Sequence, residues 1–428
     1  MNVLVIGNGG REHAICWKLR HSKEIDWIYC APGNAGTAAV GTNVAIAATD
    51  IPALLQFAKK EHIDLTVVGP EVPLAAGIVD RFREAGLRIF GPTRAAAQLE
   101  TSKAFAKDFM KRHHIPTAAY EVFAHGDTAR LRAHLETCRY PVVLKADGLA
   151  AGKGVIIATT FEEAMQAGGS MLTGSAFGDA GTTLVVEEFL DGIEASVFAL
   201  TNGTRFVTLA PAQDHKRILD NDLGKNTGGM GAFAPTPHVP TALLADVKMR
   251  VIKRTIDGMR ADGIPYSGVL FVGLMLTADG PKVLEFNCRF GDPETQVVLP
   301  LIDYDLGVLL HDIADGKLQI NRLPMHDANA VCVVMASSGY PDDYQTGKEI
   351  AGLDAINEEE EGVIIFHAGT RADGRRVLTA GGRVLGVTAL AQGLDIASSI
   401  RIAYGAVSRI RFDGAYYRTD IGKKALPD

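Results

Sequence analysis

In the segment VLEFNCRF, Glu285, Asn287 and Arg289 fall on alternate residues. The two-residue period of a strand puts them on one face and Phe286, Cys288 and Phe290 on the other. A carboxylate and an amide oxygen are hard ligands suited to magnesium, and a neighbouring guanidinium can hold a phosphoryl or carboxylate group. Three such side chains together fit a solvated edge poorly. Cys288 is thereby assigned to the core rather than to nucleophilic chemistry. In the GDPET that follows, Asp292 before Pro293 reads as an N-cap and first helical residue, a structural role beside any in substrate binding.

Two glycine clusters invite phosphate chemistry. KADGLAAGKGV, from Lys145 to Val155, is one residue short of a Walker A loop between Gly148 and Gly152, and Gly154 stands where Ser or Thr would meet magnesium. A lysine ending a strand, a small-residue loop carrying Lys153 and a second strand look instead like a lid over polyphosphate; an ordinary hairpin with two solvated lysines is the bland reading. Near the start, Gly7 and Gly9 fit G-x-G-x-x-G, but Glu12 replaces the third glycine, and the second strand ends Tyr29-Cys30-Ala31 without an acid for a ribose diol. NAD is therefore not expected. Gly9, Gly10 and Arg11 at a helix start would still offer N–H groups, a positive dipole end and a guanidinium to a phosphate, against the alternative of a tight turn with a surface arginine.

A further stretch, QDHKRILDNDLGKNTGGMGAF from Gln213 to Phe233, reads as a long loop carrying both charge signs, and loops of that length inside a domain are usually functional. No other His or Cys at ligand spacing supports Asp214 and His215 as metal ligands, and His215 is expected to be a surface or satisfied histidine. No G-x-S-x-G and no Ser/His/Asp set point to covalent catalysis.

These residues need a frame. The 428-residue chain has room for about three domains, with 47% apolar and 22% charged residues. Its formal net charge of −7 gives no basic field for nucleic acid. Five cysteines without C-x-x-C indicate neither a disulfide framework nor zinc, so a reduced, cytoplasmic setting is expected. The opening MNVLVIGNGG lacks a signal-peptide pattern, and the uncharged stretch 28–49 is broken by Pro32, Gly33, Gly36 and Gly41, so no membrane span is expected.

From residue 1 to about 100, strands read at Val3–Ile6, Trp27–Tyr29, Leu65–Val68 and Leu87–Phe90 alternate with helical stretches, the pattern of a doubly wound parallel sheet. Three of these strands end in Gly7, Gly69 and Gly91, marking ligand loops. Next come a helix over Ser102–His113, strands over 141–160 and 183–211, a helix over Thr241–Arg260, and a hairpin of Gly268–Thr277 with Val283–Phe290. A third unit follows Pro324, with strands at Ala328–Ala336, Val363–His367 and Arg383–Thr388, a helix, and a last strand near Ile410. Glu358–Glu361 reads as a solvated loop without function.

Taken in order, GNGGREH, APGNAGT, GPEVPL, the lysine-glycine lid, EEFLDG, QDHKR with NTGGMG, and EFNCRFGDPETQ resemble the glycinamide ribonucleotide synthetase (phosphoribosylamine–glycine ligase) family across essentially the whole chain. The resemblance implies an α/β, ATP-grasp fold: an N-terminal doubly wound parallel-sheet domain over 1–101, a central α+β ATP-binding domain over 102–325 with a mobile lid at about 120–190, and a small C-terminal domain over 326–428. It implies that ATP and Mg²⁺ or Mn²⁺ serve to join glycine to 5-phosphoribosylamine in purine biosynthesis. The expected protein is a cytoplasmic monomer with no nucleic-acid or membrane partner.

By position, the resemblance gives Lys103, Lys145, Gly148, Gly152, Lys153, Gly154, Glu187, Glu188, Phe189, Leu190 and Glu194 to ATP. It gives Gly9, Gly10, Arg11, Pro70 and Glu71 to the phosphorylated amine, and Glu285 and Asn287 to the metal. Asp214, Lys216, Arg289 and Asp292 are left for glycine and the reacting groups. Two departures stand out: Lys225 follows Gly224 where the family usually reads G-P-N-T, and GVLFVGLM lacks the further metal-binding acid of related biotin-dependent carboxylases. The competing readings are an ATP-grasp ligase for another acid and amine, a nucleotide-sensing binding protein without turnover, and an NAD dehydrogenase.

Overall fold

The computed structural model describes residues 1–148, 154–173 and 183–427. Strands β1 (Asn2–Gly7), β2 (Trp27–Pro32), β3 (Thr42–Asn43), β4 (Leu65–Val68) and β5 (Ile89–Phe90) form a parallel sheet in the order β3-β2-β1-β4-β5. Val3, Leu4, Val5 and Ile6 have no exposed surface, as expected of a strand covered on both faces. The chain reverses its strand order beside β1, so the ends of β1 and β4 frame a crevice. The two-residue β3 was not legible, and β5 is shorter than Leu87–Phe90.

After the helix Lys103–Arg112, capped by the Ser102 hydroxyl, comes an antiparallel sheet β6-β9-β7-β8, made of β6 (Tyr120–Ala124), β7 (Val142–Ala146), β8 (Val155–Ala158) and β9 (Thr183–Glu188). It has its own core around Phe123, Leu144 and Leu184. A second antiparallel sheet, β11-β10-β16-β17, contains β10 (Ile193–Thr201), β11 (Phe206–Thr208), β16 (Gly268–Thr277) and β17 (Gly280–Asn287). The expected Thr241–Arg260 helix is real but interrupted, with one π turn at Lys248–Ile252 joining two α-helical pieces.

Gln213–Phe233 is not a structureless loop. It supplies β12 (Gln213–Asp214), the hairpin β13 (Arg217–Leu219) with β14 (Leu223–Asn226), and β15 (Gly231–Ala234). Strands β12 and β15 join the C-terminal β18 (Ala328–Ala336), β19 (Val363–His367) and β22 (Arg383–Gln392) in the order β12-β15-β18-β22-β19. One sheet thus spans the position near residue 325 where the sequence reading divides the chain. A small hairpin, β20 (Thr370–Asp373) with β21 (Arg376–Thr379), hangs from it.

Two C-terminal expectations fail. Glu358–Glu361 is a helical turn rather than a loop, and near Ile410 only isolated bridges form, Ala351 with Arg411 and Ala336 with Tyr416, rather than a strand.

The largest core joins Val5 and Leu19, Phe198 and Phe271, and Cys332 and Phe366. The three sequence regions therefore pack on common apolar residues, which holds the loops between them in register. Among the described residues, no helix is long and apolar enough to cross a membrane.

Candidate active site

A cavity of about 1010 Å³ lies where these regions meet, and its wall runs from Arg11 to Lys424. At one end the helix Lys103–Arg112 presents Lys103 and Lys107 one turn apart. Lys107 donates to Thr117 Oγ1 at 2.7 Å and pairs with Glu187 Oε2 at 2.9 Å. Lys145, from β7, reaches Glu187 Oε1 at 2.9 Å as an ion pair and donates to the carbonyl of Leu284 at 3.2 Å. Glu187 is buried between the two ammonium groups. Burial pushes Lys107 down to about 8 against the pull of Glu187. Burial also lowers Lys103, whose ammonium donates to the Gly148 carbonyl at 2.9 Å.

Glu188 accepts the Ala119 N–H at 2.9 Å and pairs with Lys282 at 3.1 Å. Phe189 and Leu190 follow on the wall, Phe189 with 41% of its surface exposed. Beyond them lie Glu194 and Lys216, 2.9 Å apart, with Asp214 at 3.4 Å from the same ammonium. Burial alone would lower Lys216, but Asp214, Glu194 and Glu285 hold it well above its usual value. Burial raises Asp214, and Lys216 lowers Glu194.

β17 sets the far wall. Its hairpin with β16 carries a bulge opposite Gly273 and Leu274, after which Glu285 and Asn287 lie on the cavity wall while Phe286 and Cys288 are buried, as the alternation requires. Burial raises the Cys288 thiol, in keeping with a core residue. Neither the Glu285 nor the Asn287 side chain bonds to another described side chain. Their oxygens therefore fit magnesium, which keeps waters and phosphate oxygens beside one or two protein ligands. Among the described residues, no group of three or more His, Cys, Asp or Glu could hold a metal on its own.

Arg289 lies between two carboxylates, Glu71 at 3.2 Å and Glu100 at 3.0 Å. Burial opposes its charge, and these two acids more than restore it. Burial is also the largest influence on Glu71, yet Arg289 and Arg11 hold it below its usual range, whereas for Glu100 burial prevails and raises it. Arg11 donates to the Phe290 carbonyl at 3.2 Å and pairs with Glu12 at 2.5 Å.

Asp292 is not an N-cap. The following helix, Thr295–Val298, begins after Glu294, and the Asp292 carboxylate instead accepts from Gln296 at 2.8 Å and faces Arg383 at 3.4 Å. Against burial, Arg383 and Arg11 hold it below its ordinary value. Glu294 accepts from the Ser196 hydroxyl at 3.2 Å, and burial, with Asp214 adding to it, pushes it up to about 7.

The structure thus brings Arg11, Glu71, Lys103, Lys145, Gly148, Gly154, Glu187–Leu190, Glu194, Asp214, Lys216, Glu285, Asn287, Arg289 and Asp292 to one cavity. Gly9, Gly10 and Pro70 are not on its wall, and the Gly9 N–H is already taken by Glu12 Oε2 at 2.6 Å. Gly152 and Lys153 lie outside the described residues. His215 is buried, not superficial. Neither ring nitrogen has a partner among the described residues, and burial drives it down to about 4, so it stays neutral.

The sequence reading missed Lys107, Glu100, Gln213, Glu294, Arg383 and Lys424 on the wall. Lys107 was findable, one helical turn beyond Lys103. Arg383 was not: it comes from β22 in the C-terminal sheet and donates to the carbonyls of Gly228 at 2.7 Å and Asp292 at 2.8 Å.

Three family models match in series: phosphoribosylglycinamide synthetase N domain over 1–100, its ATP-grasp (A) domain over 101–295 and its C domain over 330–424. A phosphoribosylamine–glycine ligase of Chlorobaculum tepidum is 54% identical, each chain covered in full. The Escherichia coli K12 ligase is 52% identical over all of this chain and 99% of its own. A trifunctional purine biosynthetic protein of Gallus gallus is 50% identical over 99% of this chain and 42% of its own. Among solved structures, a Thermotoga maritima phosphoribosylamine–glycine ligase superimposes with a TM-score of 0.85 at 34% identity, over 98% of this chain and 100% of that one. A Campylobacter jejuni biotin carboxylase shares the fold alone, with a TM-score of 0.73 at 14% identity over 97% and 92%. The chain belongs to the phosphoribosylglycinamide synthetase family and has its three-domain ATP-grasp architecture.

Proposed function

From that membership we propose that the chain joins glycine to 5-phosphoribosylamine, converting ATP to ADP and phosphate and yielding glycinamide ribonucleotide for purine biosynthesis. The observation that carries this reading is one continuous cavity, with lysines at one end, hard oxygen ligands in the middle and Arg11 and Arg289 at the other. That order suits polyphosphate, metal and a phosphorylated amine in a row.

Lys103 and Lys145 neutralise ATP phosphates, with Lys107 and Glu187 fixing Lys145 behind them. Phe189 and Leu190 cover the base, and Glu194 meets the ribose. The sheet β6-β9-β7-β8 is the lid, within a central domain of 102–325 between units of 1–101 and 326–428. Glu285 and Asn287 hold Mg²⁺ or Mn²⁺, which when bound neutralises charge on the transferred phosphoryl group. Arg11 takes the phosphate of the amine, with Glu71 beside it and Gly9, Gly10 and Pro70 supporting the turn. Asp214, Lys216, Arg289 and Asp292 orient glycine and the reacting groups.

A glycine carboxylate oxygen attacks the γ-phosphorus and ADP leaves, giving glycyl phosphate. The amine nitrogen then attacks the acyl carbon, inorganic phosphate departs and the nitrogen loses a proton to form the amide. No enzyme nucleophile takes part, so rate comes from positioning, charge neutralisation and exclusion of water. The protein works as a cytoplasmic monomer.

The test is ADP release with ATP, Mg²⁺ and glycine, with and without phosphoribosylamine, alongside mass detection of product. Turnover that requires both substrates and yields glycinamide ribonucleotide supports the reading. ATP hydrolysis indifferent to phosphoribosylamine would send the assignment to another acid and amine.

A further inference from the structure

Glu12 stands where a dinucleotide-binding turn carries its third glycine, the residue that lets helix and strand pack closely. Here the side chain fills that space. The carboxylate is 2% exposed, accepts the Gly9 N–H at 2.6 Å through Oε2 and pairs with Arg11 Nε at 2.5 Å through Oε1. Three glycines from two strand ends enclose it. A Cβ on Gly7 would fall 2.5 Å from Glu12 Cγ, one on Gly9 2.8 Å from Oε2, and one on Gly69 2.0 Å from Oε1. Gly7 ends β1 and Gly69 follows its parallel neighbour β4, so the carboxylate plugs the crevice in which open sheets of this kind take their ligands.

We propose that Glu12 is a resident anion and a positioning residue. It occupies the first-turn N–H that a phosphate would otherwise use, and it fixes Arg11 so that the rest of the guanidinium meets the phosphate of the amine substrate in the cavity. A guanidinium has five donors; Nε is given to Glu12 and Nη1 to the Phe290 carbonyl. The remaining donors form a fork whose direction is set from behind. This accounts for glycines around a turn whose dinucleotide signature is incomplete: they make room for Glu12. The inference rests on the reading that Arg11 holds the amine's phosphate.

The experiment uses the full chain and measures KM for each of the three substrates, kcat and the thermal midpoint. Glu12→Gln keeps an acceptor for Gly9 and gives up the charge that holds Arg11. It is expected to raise KM for phosphoribosylamine roughly tenfold while KM for ATP and glycine moves less than about twofold. Glu12→Gly restores G-x-G-x-x-G and frees the turn, so inorganic phosphate becomes a competitive inhibitor against phosphoribosylamine at concentrations that leave the unaltered chain unaffected. Gly69→Ala pushes on the same carboxylate from the other side and should repeat the selective KM change if the Glu12 variants do not fold.

An unchanged KM for phosphoribosylamine in Glu12→Gln overturns the proposal. So does a parallel rise of all three KM values with a fall in kcat, because that is the signature of general damage. Failure of the unaltered chain to require phosphoribosylamine is a separate result and sinks the functional reading instead.

Discussion

The two ends of the cavity solve opposite electrostatic problems. At one, Glu187 is the single acid in direct ion-pair contact with Lys103, Lys107 and Lys145 among the described residues, while Glu285, Asp147 and Glu188 act on them from farther off, so three ammonium groups share one direct counter-charge. At the other, Arg289 is held between Glu71 and Glu100, Arg11 is held by Glu12, and Glu294 and Asp214 add further acids. The lysine end has charge left for an anion, while at the arginine end the resident carboxylates outnumber the cations and brace them, leaving only part of each guanidinium for a phosphate. The lesson is that a cation in a substrate cavity reports on its substrate only after its resident partners are subtracted.

The harshest way to break this contrast is to remove the proposed metal ligand between the two ends. Glu285→Ala should cost more than about 100-fold in kcat at saturating Mg²⁺ with the urea midpoint unchanged; activity near normal would place the metal elsewhere. At the lysine end, Glu187→Gln leaves two ammonium groups buried without a counter-charge. Urea unfolding should show a loss of about 3–5 kcal/mol. Lys145→Ala keeps the fold and weakens ATP binding by roughly tenfold on calorimetry; unaltered affinity would mean that the surplus charge is not used for phosphate.

A subtler test lies in the acidic surplus. Glu294 titrates near 7 in the folded chain and near 4.5 when unfolded, so between those values the folded state holds more protons and stability falls as pH rises. Glu294→Gln should remove that slope, stabilising the chain at pH 8 relative to wild type and matching it near pH 4.5, as read by urea midpoints. The smallest effect is a control outside both ends. Lys225 pairs with Asp342 at 2.7 Å in the open, and Lys225→Ala should cost no more than about 0.5 kcal/mol.

What could be read from the chain depended on whether a residue's partners were near in sequence. Four strands of the parallel sheet were legible because each is a short apolar run followed by a helix, whereas β3 is the polar pair Thr42–Asn43 and left no such signal. The polar face of β17 was legible because strand alternation is local. The strands inside 213–233 were not, since they are only two to four residues long; nor was the π turn, which depends on packing. Asp292 misled because Asp-Pro is a local helix signal, whereas Arg383 and Gln296 set its actual role. Arg383 itself sits in an apolar strand of another region, and nothing beside it in the sequence marks it.

That last feature bears on how the enzyme is made. Arg11, Arg383 and Lys424 share one wall, so the cavity closes through the longest loops the chain can form, and contacts of that kind are established late. After dilution from denaturant, helical and strand signals should return before turnover does. A nascent chain still lacking its final sheet would hold folded parts of the ATP region while being unable to consume ATP in earnest.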